Sequence, residues 1–286
     1  MRTILVTCLA LTLAIGAQGQ TEAIDTAQFV AVYDYECRTQ DGEDTPVTDK
    51  MQIVVQVGRT VTKSMPRSTY MKTNETIEDE DLIMAEHQET LMHMPTVWTC
   101  LPNGQTTVRD RIFPHEFEGI EPTPDIAWTL TDDTVTINGY FCQQATATFR
   151  GVTWTVCYTE EIPSSAGPWR LRGLPGLIIK AENEAHTFCL AELRQNHTPI
   201  TAPEKSPNVQ CMTYAKLLKH RSDVYGNRQY AKNPLFHVPN LNGNTLSLGG
   251  SIHHMTVIEM GGQQFAYADG FPLLTKAHVY QPLEIE

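Results

Sequence analysis

The feature that most constrains this fold is a stretch of alternating apolar and polar residues, 134–159, which contains the pair Arg150 and Gly151. If these two residues form a turn, Ala147 faces Trp154 across a pair of antiparallel strands. In this register the large apolar side chains share one face. The other face carries threonines, namely Thr146, Thr148, Thr153 and Thr155. A shift of one residue would mix the two faces, so the pattern predicts a hairpin with one buried side.

A corner rich in glycine and proline follows this hairpin. Residues 173–179 read GLPGLII, in which two glycines flank one proline. Proline presets the backbone φ, whereas glycine adopts positive φ or lets another backbone approach closely. The continuous apolar run at residues 177–179 predicts a strand that is buried on both faces.

The hexapeptide at residues 173–178 resembles the signature of the GLPGLI family, a group of exported Bacteroidetes proteins. The resemblance continues upstream, in the same order, through INGYFCQQA at residues 137–145 and YTEEIP at residues 158–163. Two positions depart from it, since the family usually has lysine at Gln144 and tryptophan at Cys157. The family has no established activity. The resemblance implies an accessory component of the cell envelope, with an outer-membrane receptor of the TonB-dependent kind as a partner.

The N-terminus predicts export. Arg2 precedes an apolar segment, 4–15, and the AQG tripeptide at 17–19 has the small-x-small pattern of a cleavage site. Residues 1–19 are therefore interpreted as a signal peptide. Cys8 lies too early to become a lipidated first residue, and no run approaches the roughly 20 apolar residues of a spanning helix. We predict a periplasmic or secreted protein that is neither a lipoprotein nor a transmembrane protein.

Charge and cysteine content narrow the classes of function. The formal net charge is −12 at pH 7, which argues against nucleic acid and anionic membranes as partners because both attract basic patches. The cysteines after the signal peptide are Cys37, Cys100, Cys142, Cys157, Cys189 and Cys211. Their even number permits disulfides in an oxidising compartment, with the connectivity open. No CxxC pair is present, so a zinc cluster is not expected.

The hairpin register also separates two of these cysteines. It places Cys142 and Cys157 on the threonine face, in diagonal positions. Diagonal neighbours lie about 7–8 Å apart, which is at or beyond the reach of a disulfide. We therefore predict that these two cysteines are not bonded to each other.

Hairpin signals recur along the chain. Strands are predicted at residues 29–38, 52–57, 60–65, 96–100, 106–112, 176–182, 186–193, 254–260 and 263–267. Helices are predicted at residues 76–92 and 211–224, a loop at 114–125 and a linker at 199–207. Together these predict a mainly β (α+β) fold: a curled antiparallel sheet, as an open barrel or half-barrel, with one or two accessory helices. Residues 20–199 would form the β domain, and residues 200–286 an extension packed on it.

The strongest candidate site surrounds the glycine–proline corner. An aromatic side chain and two cations beside a preformed turn favour binding of a carboxylate or a peptide end. The predicted binding residues are Tyr158, Glu160, Glu161, Trp169, Arg170 and Arg172. In the alternative interpretation, Trp169 closes the open end of the barrel and the arginines pair with Glu160 or Glu161.

A peptide or cell-wall hydrolase is the first alternative function. The chain has no GxSxG, HExxH or P-loop motif, and Ser164 and Ser165 fit a turn-forming loop. Glu160 and Glu161 are adjacent, so on a strand they point to opposite faces and form an acid–base pair only if the strand breaks there, for example because of Pro163. No catalytic residue is predicted.

A copper- or zinc-handling protein is the second alternative. His87 together with Met92, His93 and Met94, and the HHM tripeptide at 253–255, offer imidazole and thioether ligands. Such residues near a helix end more often pack in a core. We predict no metal site and no cofactor.

The sequence thus favours an exported binding protein over a catalyst. A concave sheet, closed at one end by residues 158–180, would hold a peptide, a lipid or a strand of a partner protein.

Overall fold

A twelve-stranded sheet dominates the protein. The computed structural model describes residues 22–76, 79–112, 115–232, 255–260, 263–268, 271–273 and 277–285. The strands are β1 (Ala23–Thr26), β2 (Phe29–Gln40), β3 (Pro46–Val57), β4 (Thr62–Pro66), β5 (Thr96–Thr99), β6 (Gln105–Ile112), β7 (His115–Pro122), β8 (Thr129–Ile137), β9 (Tyr140–Phe149), β10 (Val152–Thr159), β11 (Leu177–Glu182), β12 (His186–Arg194), β13 (Pro199–Thr201), β14 (Val209–Thr213), β15 (Met255–Met260), β16 (Gln263–Ala268) and β17 (Phe271–Leu273). The helices are α1 (Arg67–Asn74), α2 (Asp79–Met92), α3 (Tyr214–Tyr225) and α4 (Arg228–Lys232).

Hairpin connections generate most of the topology. Strands of the main sheet follow the order β14-β7-β6-β5-β4-β3-β2-β12-β11-β10-β9-β8. Adjacent strands are antiparallel except β7 and β14, which are parallel. A two-stranded ribbon, β1 and β13, and a three-stranded sheet, β15 to β17, lie outside it. The prediction of a mainly β fold with few helices is confirmed.

The hairpin predicted from the alternating residues is β9–β10. Its register is the predicted one, with Trp154 opposite Ala147, and both side chains are buried. Arg150 and Gly151 have positive φ angles of 46° and 75°. Positive φ at both central positions is typical of the two-residue turns that match the twist of the flanking strands.

The main sheet curls until its two ends approach each other. Arg150, at the β9–β10 turn, and Arg170, in the glycine–proline corner, both form ion pairs with Glu121 near the end of β7. Phe117 of β7 and Trp154 of β10 belong to one buried core, so the face that carries this core is the concave one. Within the described residues β8 and β14 do not pair, and the curled sheet is an open barrel.

The glycine–proline corner feeds a deeply buried strand. Leu177, Ile178 and Ile179 in β11 are each 0% exposed. A Cβ atom on Gly176 would lie 2.0 Å from the carbonyl oxygen of Thr159. Only glycine lets the end of β10 come this close to the corner. The prediction of a fully buried strand after the corner is confirmed.

The helices differ from the prediction at their ends. The helix predicted at 76–92 is present as α2, whereas the shorter α1 is not predicted from the sequence. The helix predicted at 211–224 begins only at Tyr214, because Cys211 pairs with β7 as part of β14. Helix α3 packs closely on β7, since a Cβ atom on Gly119 would lie 2.7 Å from Leu217.

Two stretches that the sequence assigns to irregular structure contain strands. Residues 114–125 are rich in proline and glutamate and predict a loop, but β7 occupies most of them. Strand β6 pairs with β7 along its whole length, and this tertiary ladder overrides the local composition. The predicted linker, 199–207, begins with β13, which pairs with β1.

The described cysteines are free thiols, so the disulfides that their even number permits are not formed. Cys142 and Cys157 are both buried and are not bonded to each other, as predicted. Lys180 pairs with Cys157 on one side and with Cys189 on the other, which keeps these two cysteines a full strand apart. Burial raises the pKa of each of these three thiols.

The C-terminal part of the chain contributes to the main core. Leu217 of α3, together with Ala277 and Leu283, packs with the strands of the concave face.

No described helix is both long enough and apolar enough to cross a membrane. The predicted signal peptide, 1–19, lies outside the described residues, as does His254 at the start of the strand predicted at 254–260.

Candidate ligand-binding groove

Three of the predicted binding residues, Tyr158, Trp169 and Arg170, lie in the interior. Trp169 is 3% exposed, and its ring centroid lies 6.1 Å from those of Phe149 and Trp154. The side chain of Arg170 is 1% exposed. Trp169 and Arg170 therefore belong to the packed concave face, where the sequence places the ligand, and that face is filled here by the protein's own side chains.

Arg170 belongs to a buried cluster of charges. Its Nη1 atom donates to both carboxylate oxygens of Glu284, at 2.9 and 3.0 Å. The Nε atom of Arg150 lies 3.2 Å from the same carboxylate, and the hydroxyl of Tyr214 donates to it. Glu121 pairs with both arginines. We call Arg150, Arg170 and Tyr214 the tail clamp, because they hold a carboxylate from the end of the chain.

The pairing of Arg170 differs from the alternative interpretation of the sequence. Its partners are distant carboxylates rather than Glu160 or Glu161, because the curl of the sheet brings β7 and the C-terminal residues to the corner. Glu160 is exposed, and Glu161 accepts the backbone N–H of Phe141 at 3.0 Å. Among the described residues, no histidine hydrogen-bonds either of these glutamates.

The remaining predicted residues lie apart from the tail clamp. The hydroxyl of Tyr158 donates to the side chain of Gln143 at 2.8 Å. Arg172 accepts the indole N–H of Trp128 at its backbone carbonyl, at 2.8 Å. The guanidinium of Arg172 acts on Cys100, where it opposes the rise in thiol pKa that burial causes. The structure therefore does not bring the predicted binding residues into one site.

Of the described histidines considered as metal ligands, His93 is packed as a core side chain and His87 is half-buried. The ring of His93 stacks on Tyr225 at a centroid distance of 3.8 Å, and burial, with the charge of Arg221, lowers its pKa to about 3. Burial also lowers the pKa of His87. The part of the chain that the structure describes contains no group of three or more His, Cys, Asp or Glu side chains arranged to hold a metal ion. Residues 253–254 lie outside that part.

A groove of about 780 Å³ lies on the convex face of the sheet. Its floor includes Thr107 and Arg109, which alternate along β6 with Val108 of the main core. The segment 202–207, with the sequence APEKSP, forms its wall. The other lining residues are Ile24, Leu101, Pro102, Asn103, Gln105, Glu118, Ile120, Val209 and Cys211. Ligand sites have volumes of about 300–1,000 Å³, so this groove is large enough for a small molecule or a short peptide.

Strand register brings a tryptophan and a lysine to the same face as the groove. Lys63 on β4 lies opposite Trp98 on β5, which lies opposite Thr107 on β6. The Nζ atom of Lys63 lies 5.1 Å from the centroid of the Trp98 ring, and the Cζ atom of Arg109 lies 5.9 Å from it. The indole N–H donates to the carbonyl of Thr201 at 2.8 Å, which fixes the ring beside the start of the wall.

The two cations beside Trp98 have different partners. Arg109 donates to the carboxylate of Glu118 at 2.6 Å and to the carbonyl of Glu204 at 2.7 Å. Lys63 is 8% exposed and forms no ion pair with any carboxylate of the described residues. Burial, and then the charge of Arg109, lowers the pKa of Lys63 to about 8. A positive charge without a matching carboxylate therefore lies beside the groove.

Sequence reasoning missed Lys63, although a signal was present. In the strand predicted at 60–65, Lys63 shares a face with Val61 and Met65, and both of these residues are buried. A lysine between two apolar residues on one face of a strand indicates a buried or half-buried cation. The sequence does not predict the wall of the groove, because the proline-rich composition of residues 202–207 indicates a linker.

Comparison with known proteins adds little to this geometry. No family model matches the chain, and no curated protein matches it. Two crystal structures of PNGF-II, in space groups P21 and C2, are similar to it at 13% sequence identity, with TM-scores of 0.43 and 0.40. The similarity covers 66% and 65% of this chain but only 33% and 32% of PNGF-II. This chain thus matches about a third of the length of PNGF-II.

Proposed function

We propose that the protein is an exported binding protein of the cell envelope, of the kind that the GLPGLI resemblance implies. We further propose that the groove holds an extended peptide segment that carries an acidic side chain. The observation that carries this proposal is the buried ammonium of Lys63, which has no carboxylate partner among the described residues.

Apolar lining would supply much of the affinity for such a peptide. Leu101, Ile120 and Pro203 line the groove together with the charged pair Arg109 and Glu118. A lipid tail over this floor would remove water from the ion pair without replacing its hydrogen bonds, which costs free energy. A peptide presents backbone N–H and C=O groups that can hydrogen-bond to both members of the pair, so a peptide suits this mixed surface better.

An acidic side chain would supply the counter-charge that Lys63 lacks. The ammonium lies against the ring of Trp98, where burial disfavours its charged form. A ligand carboxylate beside it would gain a charge-assisted hydrogen bond in a place that water reaches poorly. Lys63 would then select acidic over basic peptides, since a basic side chain at the same place would meet a like charge.

Fluorescence anisotropy with two labelled peptides tests this proposal. One is a short peptide of alternating leucine and glutamate, and the other replaces each glutamate with lysine. The full chain should bind the acidic peptide and not the basic one, and Lys63→Met should weaken acidic binding by about tenfold or more. The matched control, Lys50→Gln, removes one exposed positive charge that pairs with Glu36 and should leave binding unchanged. Equal binding of both peptides, or full binding by Lys63→Met, would contradict the proposal.

The envelope partner requires a separate experiment. The full chain and the Lys63→Met variant would each serve as bait in a pull-down from envelope extract, with mass spectrometry of the retained proteins. If the groove recruits an outer-membrane receptor, that receptor should be enriched on the unmodified bait and depleted on the variant. Equal enrichment of the receptor on both baits would show that it does not bind through the groove.

A further inference from the structure

We infer that the tail clamp is a second peptide-binding site, which takes a segment with an apolar residue followed by glutamate. In the structure the chain's own residues 277–285 occupy it in cis. This inference concerns the concave side of the sheet and does not rest on the function proposed for the groove.

The C-terminal segment, 277–285, is held as a bound peptide would be. It has no regular secondary structure, bends at Leu283 and Glu284, and belongs to no sheet. Backbone hydrogen bonds join it to the rest of the protein near both ends: the N–H of Val279 donates to Gln40, and the N–H of Ile285 donates to Arg150. Between these bonds, Leu283 enters the main core. Backbone anchors near the ends and apolar side chains that pack on the protein, here Ala277, Tyr280 and Leu283, are the usual elements of peptide recognition.

The glutamate of this segment supplies the specificity. The carboxylate of Glu284 receives both hydrogen bonds from one nitrogen of Arg170 and a third from Tyr214, and its side chain is 3% exposed. Without it, Arg150 and Arg170 would share only the carboxylate of Glu121, which leaves one buried positive charge unmatched. The clamp thus favours a carboxylate over a neutral or basic side chain.

A segment outside any sheet also separates from its site more easily than a strand does. No ladder of hydrogen bonds holds it, so local opening of such a segment needs less free energy than global unfolding. When the segment leaves, a second peptide of the same chemistry can enter. Because the two compete, the apparent affinity for an added peptide is reduced by the fraction of molecules whose site is occupied in cis.

A titration of the full chain with a labelled peptide, AHVYQPLEI, tests this inference. This peptide has the sequence of residues 277–285. Glu284→Gln loosens the cis segment, so this variant should bind the peptide about tenfold more tightly than the unmodified chain does. A peptide with glutamine at the Glu284 position should bind both proteins more weakly by at least about tenfold. A matched control, Glu182→Gln, removes an exposed carboxylate that pairs with Lys180 and should behave as the unmodified chain.

Two outcomes would overturn the inference. One is a folded Glu284→Gln protein that shows no saturable binding of the peptide. The other is equal binding of the glutamate and glutamine peptides. If Glu284→Gln does not fold, Leu283→Ala replaces it, because this variant loosens the segment without removing a buried charge, and the same increase in affinity is expected.

Hydrogen exchange of the unmodified chain tests, without any variant, whether the C-terminal segment opens locally. The N–H of Ile285 donates to Arg150, and the N–H of Ile178 donates to Ala166 in the buried corner. If the C-terminal segment is exchangeable, the amide of Ile285 should exchange at least about tenfold faster than that of Ile178. Exchange of both amides at the same rate would mean that the segment separates only when the whole protein unfolds, and would overturn the inference.

Discussion

Both faces of the main sheet bury basic side chains. Two arginines of the concave face have carboxylate partners, whereas Lys63 on the convex face has none among the described residues. On the concave face, Arg150 and Arg170 meet two carboxylates, Glu121 and Glu284. On the convex face, Lys63 lies beside Trp98 without a carboxylate from any described residue. The first arrangement joins distant parts of the chain. The second leaves a buried charge that a ligand can match, so the two faces differ in whether the chain itself supplies the carboxylate.

The pKa values of the two side chains express the same difference. Burial alone would lower the pKa of Arg170, but Tyr214, Glu284 and Glu121 outweigh it and raise the pKa above its ordinary value. For Lys63, burial and the charge of Arg109 act in the same direction and lower the pKa from 10.5 to about 8. The protein therefore stabilises the charge of Arg170, whereas the charge of Lys63 reduces the stability of the folded state.

Removal of a matched charge should have the largest effect. Arg170→Met leaves Glu284 and Glu121 close together with only Arg150 as a partner, so we expect a loss of about 3–5 kcal/mol in the free energy of unfolding. Urea denaturation at neutral pH measures this loss. The control Lys50→Gln removes an exposed member of a surface pair and should leave the midpoint unchanged. If Arg170→Met were no less stable than this control, the clamp would not be a structural element.

Removal of the unmatched charge should have the opposite sign. Lys63→Met replaces a buried ammonium with an apolar chain of similar length, so the free energy of unfolding at pH 7 should rise by about 1–3 kcal/mol. Because the pKa of Lys63 is lower in the folded state than in the unfolded state, its penalty is complete below pH 8 and disappears as the pH rises to about 10.5. The difference between variant and unmodified chain should shrink over that range. A less stable Lys63→Met at pH 7 would show that the ammonium has a partner.

Arg109 provides a comparison at the same tryptophan. Its guanidinium is matched by Glu118, so Arg109→Gln leaves a carboxylate without its cation and should lower the free energy of unfolding by about 1–2 kcal/mol. Arg109 and Lys63 lie at similar distances from Trp98, yet their removal should shift the urea midpoint in opposite directions. A shift in the same direction would mean that proximity to the ring, rather than the carboxylate partner, determines the energy of these cations.

An effect that depends on pH is expected at a half-buried carboxylate between the first two helices. Glu89 accepts the N–H of Ser68 at 2.7 Å, yet burial raises its pKa from 4.5 to about 7. Since the folded state holds this proton more tightly than the unfolded state, the stabilising contribution falls as the pH rises from about 4.5 to about 7. Glu89→Gln should remove this decline, which denaturation curves at pH 5 and pH 8 would detect. If Glu89→Gln had the same pH dependence as the unmodified chain, the pKa of Glu89 would not be raised in the folded state.

The local features of the sequence predicted much of the sheet and little of its charge chemistry. The β9–β10 register follows from the alternation of Ala147 and Trp154 with threonines, because this pattern contains both the strand period and the turn. The Leu177 strand follows from an apolar run. In contrast, the proline and glutamate content of β7 predicts a loop, because composition does not show that a neighbouring strand pairs with these residues.

Long-range partners explain why the predicted binding residues do not form one site in the structure. Arg170 was expected to bind a ligand or a nearby glutamate, but its partner Glu284 lies more than a hundred residues away in the chain. No local pattern identifies such a pair. Lys63 was detectable as a cation on an apolar face, whereas its lack of a carboxylate depends on which strands lie beside β4 and on the path of residues 202–207. These depend on the curl of the whole sheet.

The pH dependence of peptide binding tests the role of Lys63 most directly. Anisotropy titrations of the acidic leucine–glutamate peptide would be run from about pH 7 to pH 9.5, with the unmodified chain and Lys63→Met side by side. The affinity of the unmodified chain should fall as the pH rises above 8, where Lys63 loses its proton, and the affinity of Lys63→Met should be lower and nearly constant. If the affinity of the unmodified chain stayed constant across this range, the charge of Lys63 would have no part in binding.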